Sequence, residues 1–414
     1  MLKMTKITLK QSYLNIFFAV TERIIQLAFS VLSIIFVTKS LTIEHYASYS
    51  YALNLAQLSA VITILVANDY IVKAFLNWNT SNAEHLFIQF FVLRVLLIIL
   101  FYVAALSFIL FFNPILLNQS LVALIIIFAL VMLIEETFGV YLNYYIARGN
   151  QKTITRVRLV SGFIKVALIV MLFKVNINNV VYFAFASLIA SVVFGVQIFI
   201  NYQRENNSFV IFNYSELKSL VIKGIHFSVG ASLILLLIKI DRQIAHHTLN
   251  EYEFGSYSLA MQFVEQWLGL SVVAASLIAP RFFFNQPKDE AFNNCIKFVL
   301  IFIGCSVVGT LIMRQLIIPM LWPFLSKSVT YNVHYFNTLI WISIPFFANQ
   351  IVYYYQLYAD KLKTHYIIYG QALLFLFINV FYLKNNLDQA VLFTNLNILI
   401  CNIFYLTYKH TTLR

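Results

Sequence analysis

The chain has 414 residues, of which 61% are hydrophobic and only 11% charged, whereas soluble domains carry roughly 45–50% apolar and about 25% charged residues. One water-soluble globule of this length cannot hide so much apolar surface, which excludes a string of soluble domains and makes lipid the solvent for much of the chain. The net charge of +12 falls mainly in short segments between apolar runs, where it reads as membrane topology rather than nucleic-acid binding.

Crossing a bilayer takes ~20 apolar residues per helix, and in hydrocarbon only helices and closed barrels satisfy the backbone. The apolar runs are long and lack period-two alternation, so helices are predicted. In chain order they cover residues 12–37, 46–75, 86–112, 120–147, 157–175 and 179–201, then 222–248, 254–282, 294–321, 335–358, 366–384 and 388–408. The expected fold is an all-α polytopic membrane protein of about twelve transmembrane helices, in two parallel-repeat six-helix bundles. Residues 1–202 form the N-terminal bundle, 203–221 a cytoplasmic linker and 222–414 the C-terminal bundle. No loop exceeds roughly twenty residues, so no soluble domain houses catalysis and no enzyme is predicted. Pro345 is expected to kink the tenth span.

Of the 28 Lys and Arg residues, with those within three residues of a span end counted to the nearer side, 18 fall on the side that carries both termini, four on the other side and six deeper inside spans. The basic side faces the cytoplasm, which puts both termini there. The N-terminus lacks a small-residue cleavage site, so the first span is expected to stay in the mature protein. Cys295 and Cys305 lie ten residues apart on one helix, ~15 Å and so too far to bridge. Neither the cysteines nor the histidines show metal-site spacing, and no metal or cofactor is expected. The clustered tyrosines, among them Tyr141, Tyr144, Tyr145, Tyr353, Tyr354, Tyr355 and Tyr358, read as interfacial belts.

Residues 41–52 and 249–260 share an offset of 208, half the chain, and five of their twelve positions are identical. Each segment joins the first two spans of its half, which makes the halves parallel repeats and puts a substrate site between them. A polar stripe follows each copy: Ser50, Asn54, Gln57 and Asn68 in the first, Ser258, Gln262, Glu265 and Ser276 in the second. Spacings of four, three and eleven keep each stripe on one helical face, and such a face should meet protein or a wet cavity rather than lipid.

These segments, with Ile240-Asp241-Arg242 before the second copy, resemble the O-antigen flippases and polysaccharide exporters. Pro280-Arg281 at the end of the eighth span, Ala147-Arg148-Gly149 and Ala359-Asp360-Lys361 extend the likeness over essentially the whole chain. Thr42 and Ala47 stand where that family commonly has glycine. The wider superfamily includes the multidrug exporters and the flippases of lipid-linked peptidoglycan precursors. The resemblance implies alternating-access export of a polyprenyl-diphosphate-linked oligosaccharide, an O-antigen or similar repeat unit, across a bacterial inner membrane. Its implied partners are that lipid-linked glycan, membrane lipids and other polysaccharide-assembly proteins, with no nucleic acid.

Six bases and six acids lie more than three residues inside the bounds of the predicted spans, each costing roughly 2.5–3.5 kcal/mol at the bilayer centre on insertion scales. Candidate substrate-binding residues are Arg23, Arg94, Lys165, Gln57 and Gln262, because a guanidinium fork suits phosphate oxygens. Arg23 lies ~20 Å along the first span, counted from Lys10, with Gln26, Ser30 and Ser33 on its face. Candidate coupling carboxylates are Glu22, Glu265, Glu135 and Glu136, since a buried carboxylate can exchange a proton during transport. Asp241 and Arg242, with Lys239, lie near span ends as a gate or interfacial anchors. Asp69 is a possible partner of Arg94, and the plain structural alternative is that Arg23 merely neutralises Glu22. The rival functions are a multidrug or cation antiporter of the same superfamily, a membrane enzyme of polysaccharide assembly, and a channel.

Overall fold

The computed structural model describes residues 9–63, 68, 71, 80–112, 119–205, 214–283, 286–325, 333–358, 362–383 and 386–413. Among them the backbone is helical almost throughout and contains no strand. The first six helices are α1 (Leu9–Ser40), α2 (Ile43–Thr63), α3 (Thr80–Phe112), α4 (Gln119–Ala147), α5 (Gln151–Lys174) and α6 (Val180–Glu205). The second six are α7 (Tyr214–Thr248), α8 (Glu251–Phe282), α9 (288–321), α10 (333–358), α11 (362–382) and α12 (Leu387–Leu413). Each of the twelve predicted spans overlaps one of these helices, and most of 64–75, the end of the second span, lies outside the described residues. The chain is a polytopic α-helical membrane protein of two six-helix repeats.

Local chemistry sets the sharp boundaries. Gly149 closes α4 with a φ of 67°, a left-handed turn that glycine adopts without a Cβ penalty. Asn150 then caps α5, its side chain accepting from the Thr153 amide at 3.3 Å. Asn250 caps α8 in the same way, accepting from the Glu253 amide at 2.9 Å, and Glu251 and Glu253 sit in the positive first turn.

Contacts divide the chain into two compact units, Met1–Leu236 and Leu237–Arg414, with the division inside α7. In the first unit α4 is central and packs on α2, α3 and α6, while α5 packs on α6 and along α1. In the second unit α10 is central and packs on α8, α9 and α12, while α11 packs on α12. The pairs α2–α4, α3–α4, α4–α6 and α5–α6 thus recur as α8–α10, α9–α10, α10–α12 and α11–α12.

The recurrence extends to single bonds at the offset of 208. The Leu41 amide donates to the Val37 carbonyl at 3.0 Å, and the Leu249 amide to the Ala245 carbonyl at 2.9 Å. Tyr46 bonds Thr42 at 2.9 Å where Phe254 bonds Asn250 at 2.8 Å. The Ser40 hydroxyl donates to the Phe36 carbonyl at 2.8 Å and that of Thr248 to Ile244 at 2.9 Å. Both corners therefore turn the chain with the same hydrogen bonds, although the residues that make them differ.

One finding departs from expectation. The clustered tyrosines singled out above do not face lipid: Tyr141, Tyr144, Tyr145, Tyr353, Tyr354 and Tyr355 are all buried, because their rings pack inside the bundles. Tyr141 meets Tyr202 at 4.7 Å between centroids, and Arg148 lies 4.4 Å over Tyr144. The side chain of Tyr358 is outside the described residues. In α10 the helix tightens to a 3-10 turn over Ile340–Ile342, just ahead of Pro345. Proline lacks the amide that would bond the Trp341 carbonyl, and the Ser343 hydroxyl donates to the neighbouring Ile340 carbonyl at 2.7 Å. Thr310 and Ser306 of α9 reach the same Ser343 hydroxyl at 2.7 and 3.1 Å.

Candidate functional site

Two helices frame the candidate site, α1 and α5 of the first unit. They run parallel, as three contacts show. Thr155 reaches Glu22, Gly162 lies under Phe29, and the Phe36 and Phe173 rings are 5.2 Å apart. A Cβ at residue 162 would lie 2.7 Å from Phe29, so glycine there is what lets the helices approach closely.

Glu22 is buried at this seam and fully engaged. Its Oε1 accepts from Gln26 Nε2 at 3.1 Å and from Arg158 Nη1 at 3.2 Å. Its Oε2 accepts from Gln151 Nε2 at 2.9 Å and from Thr155 Oγ1 at 3.2 Å. The ion pair of Glu22 is therefore with Arg158, not with its neighbour Arg23. Arg23 makes no hydrogen bond or ion pair among the described residues, and its Nε is buried without a partner. It lies within electrostatic range of both Glu22 and Arg158. Lys165 stands two turns beyond Arg158 on the same face of α5; it is half-buried and makes no ion pair among the described residues. The seam thus brings Arg23 and Arg158 to the carboxylate of Glu22, with Lys165 two turns farther along α5.

Its depth differs from the count along α1. Gln151, the first residue of α5, touches Glu22, and Lys152 and Arg156 belong to the same first turns of α5. Arg23 therefore stands near the rim of the apolar layer rather than at its centre. The first ~20 Å of α1 lie before the level at which α5 begins.

Arg94 is placed differently. Its buried guanidinium donates from Nη1 to the Glu136 carbonyl at 2.6 Å, meets the Glu136 carboxylate at 3.3 Å and bonds Asn68 through Nη2. Asn143 donates to the same Asn68 oxygen at 2.9 Å. These bonds tie the chain at residue 68 to α3 and α4 and occupy most of the donors of Arg94. Asp69 lies outside the described residues. Glu135 is exposed and accepts from Ser191 at 2.7 Å. Gln57 is half-buried, one turn beyond the buried Ser50 and Asn54.

In the second unit the stripe meets a second charged cluster. Glu265 accepts from Lys239 at 2.7 Å and is in contact with Arg242. Asp241 accepts from the Tyr257 hydroxyl at 2.7 Å. Lys239, Asp241 and Arg242 are all buried, so they are not surface anchors; α8 engages each of them. Gln262 is half-buried one turn before this triad. The residue that the spans concealed is Arg158, which falls at the edge of the fifth predicted span and counts with the basic segment beside it. Its signal is the seven-residue spacing to Lys165, which puts both cations on one face.

No protein-family profile matches the sequence, and no curated protein matches it in sequence. Solved structures do match over nearly its whole length. One is a multidrug resistance MATE family transporter of the MOP superfamily in an inward-facing conformation, with a TM-score of 0.71 at 12% identity over 96% of this chain and 97% of that one. A MOP superfamily transporter from Pyrococcus furiosus matches with a TM-score of 0.66 at 10% identity, over 97% and 95% of the two chains. A MATE transporter from Vibrio cholerae gives 0.62 at 14% identity, over 97% of each. At these identities the likeness establishes the fold: the chain has the architecture of MOP superfamily transporters.

Proposed function

We propose that the chain is an alternating-access transporter that moves a polyprenyl-diphosphate-linked oligosaccharide from the cytoplasmic to the periplasmic leaflet of a bacterial inner membrane. One observation carries the substrate class: the α1–α5 seam, where Arg23 and Arg158 meet the Glu22 carboxylate and Lys165 follows along α5. The excess of about two positive charges matches a diphosphate with a charge near −2. The rim position supports the same reading. A lipid diphosphate sits at headgroup level, and the seam stands at the first turns of α5, beside Gln151. Arg23 and Arg158 supply fixed forks for phosphate oxygens, and Lys165 is the next cation along the path. Arg94, held by Glu136, is a positioning residue. The basic-residue asymmetry places this rim on the cytoplasmic side.

A second reading, a multidrug or cation antiporter, is favoured by the printed descriptions of several similar structures. Another similar structure is described as having a binding pocket of reversed polarity that suggests a different function. The test is to deplete the protein in its host and measure surface glycan and efflux of cationic dyes in parallel. Loss of glycan with lipid-linked intermediates retained inside, and unchanged efflux, is expected. Normal glycan with reduced dye efflux would establish the antiporter instead.

A further inference from the structure

Resting on the diphosphate reading, we propose that Glu22 is a built-in stand-in for the substrate phosphate: it holds Arg158 when the seam is empty and yields it when a diphosphate arrives. The two partners of this ion pair are held very unequally. The Glu22 side chain is 6% exposed and that of Arg158 is 40% exposed. Glu22 also has three neutral donors, from Gln26, Gln151 and Thr155, at 2.9 to 3.2 Å. Without Arg158 it stays hydrogen-bonded, so the usual heavy penalty for a stranded buried charge is softened. Arg158 makes a single bond to the carboxylate, leaving most of its five donors available on its exposed side.

The exchange therefore runs one way. An incoming phosphate meets the exposed face of Arg158 and the unpaired Arg23, and the guanidinium swings from carboxylate to phosphate. Glu22 remains in its neutral cradle. Because it stays close by, its negative charge opposes the bound diphosphate and limits how tightly the seam grips. A transporter needs that limit, since a site that binds too well does not release. Glu22 is thus a positioning residue that sets affinity, and its loss should strengthen binding rather than weaken it.

The experiment measures binding of a polyprenyl diphosphate to the full chain in nanodiscs of zwitterionic lipid, with the uncharged polyprenol as control. The expected result for Glu22→Gln is affinity about tenfold tighter than wild type, with slower glycan export. Arg158→Gln should bind more weakly. A purely structural Glu22 would give unchanged or weaker binding in E22Q, and that result overturns the proposal while leaving the diphosphate reading intact. If wild type binds the diphosphate no better than the polyprenol, the diphosphate reading itself falls. Should E22Q fail to fold, Thr155→Val serves instead. It removes one neutral donor, so Glu22 should hold Arg158 harder and diphosphate binding should weaken severalfold; unchanged affinity in T155V overturns the exchange.

Discussion

Replacing Glu265 by Gln should destabilise the second unit severely. The carboxylate lies 2.7 Å from Lys239 Nζ and touches the Arg242 guanidinium, and the three side chains are 14%, 10% and 1% exposed. Glutamine keeps the shape but removes the one charge that both cations share. Asp241, the remaining acid nearby, is engaged by Tyr257. Removing one partner of a buried ion pair costs on the order of 3–5 kcal/mol. Coulomb attraction at about 4 Å and an effective dielectric near 20 gives about 4 kcal/mol per pair, so two pairs on one carboxylate put E265Q at the upper end. Thermal unfolding of the purified protein in micelles reads the loss. Lys239→Gln combined with Glu265→Gln leaves Arg242 with Asp241 and should recover at least half of it. If E265Q unfolds within about 1 °C of wild type, the triad is not the buried electrostatic unit described.

Gly309 faces Trp267 so closely that a Cβ would lie 2.1 Å from the indole. Gly309→Ala should therefore cost about 1–3 kcal/mol, and combining it with Trp267→Phe should be strongly non-additive in a thermal-stability cycle. Ser343→Ala strands the buried Thr310 and Ser306 hydroxyls that now meet it at 2.7 and 3.1 Å, with an expected loss of about 1–3 kcal/mol by the same measurement. Reporter fusions at Arg414 and near Asn118 should report opposite sides of the membrane, with Arg414 cytoplasmic; a periplasmic Arg414 would overturn the orientation.

The fold was legible because hydropathy is a sum over some twenty residues per span and tolerates local exceptions. The repeat at Leu41 and Leu249 was legible as well, and its corners prove to share backbone bonds as well as letters. Pairing between charges was not. Glu22 and Arg158 are 136 residues apart, and what brings them together is the close α1–α5 approach at Gly162 and Phe29, which no local pattern reveals. The start of α5 at Gln151 rather than 157 has the same cause. Gln151, Thr155 and Arg158 look like a polar loop by hydropathy, yet they form a helical face satisfied by one buried carboxylate. The tyrosines Tyr144 and Tyr145 show the converse limit, since an amphipathic ring suits a lipid interface and a protein core equally.

The central claim is that the α1–α5 seam handles a diphosphate lipid during transport. The most direct measurement reconstitutes the protein in liposomes and follows movement of a fluorescent polyprenyl-diphosphate oligosaccharide between leaflets, comparing wild type with Arg23→Gln/Arg158→Gln. Wild type should move the lipid, and the double variant, folded by its unfolding temperature, should slow it at least tenfold, roughly the effect of 1.4 kcal/mol. A folded double variant that moves the lipid at the wild-type rate would contradict the account.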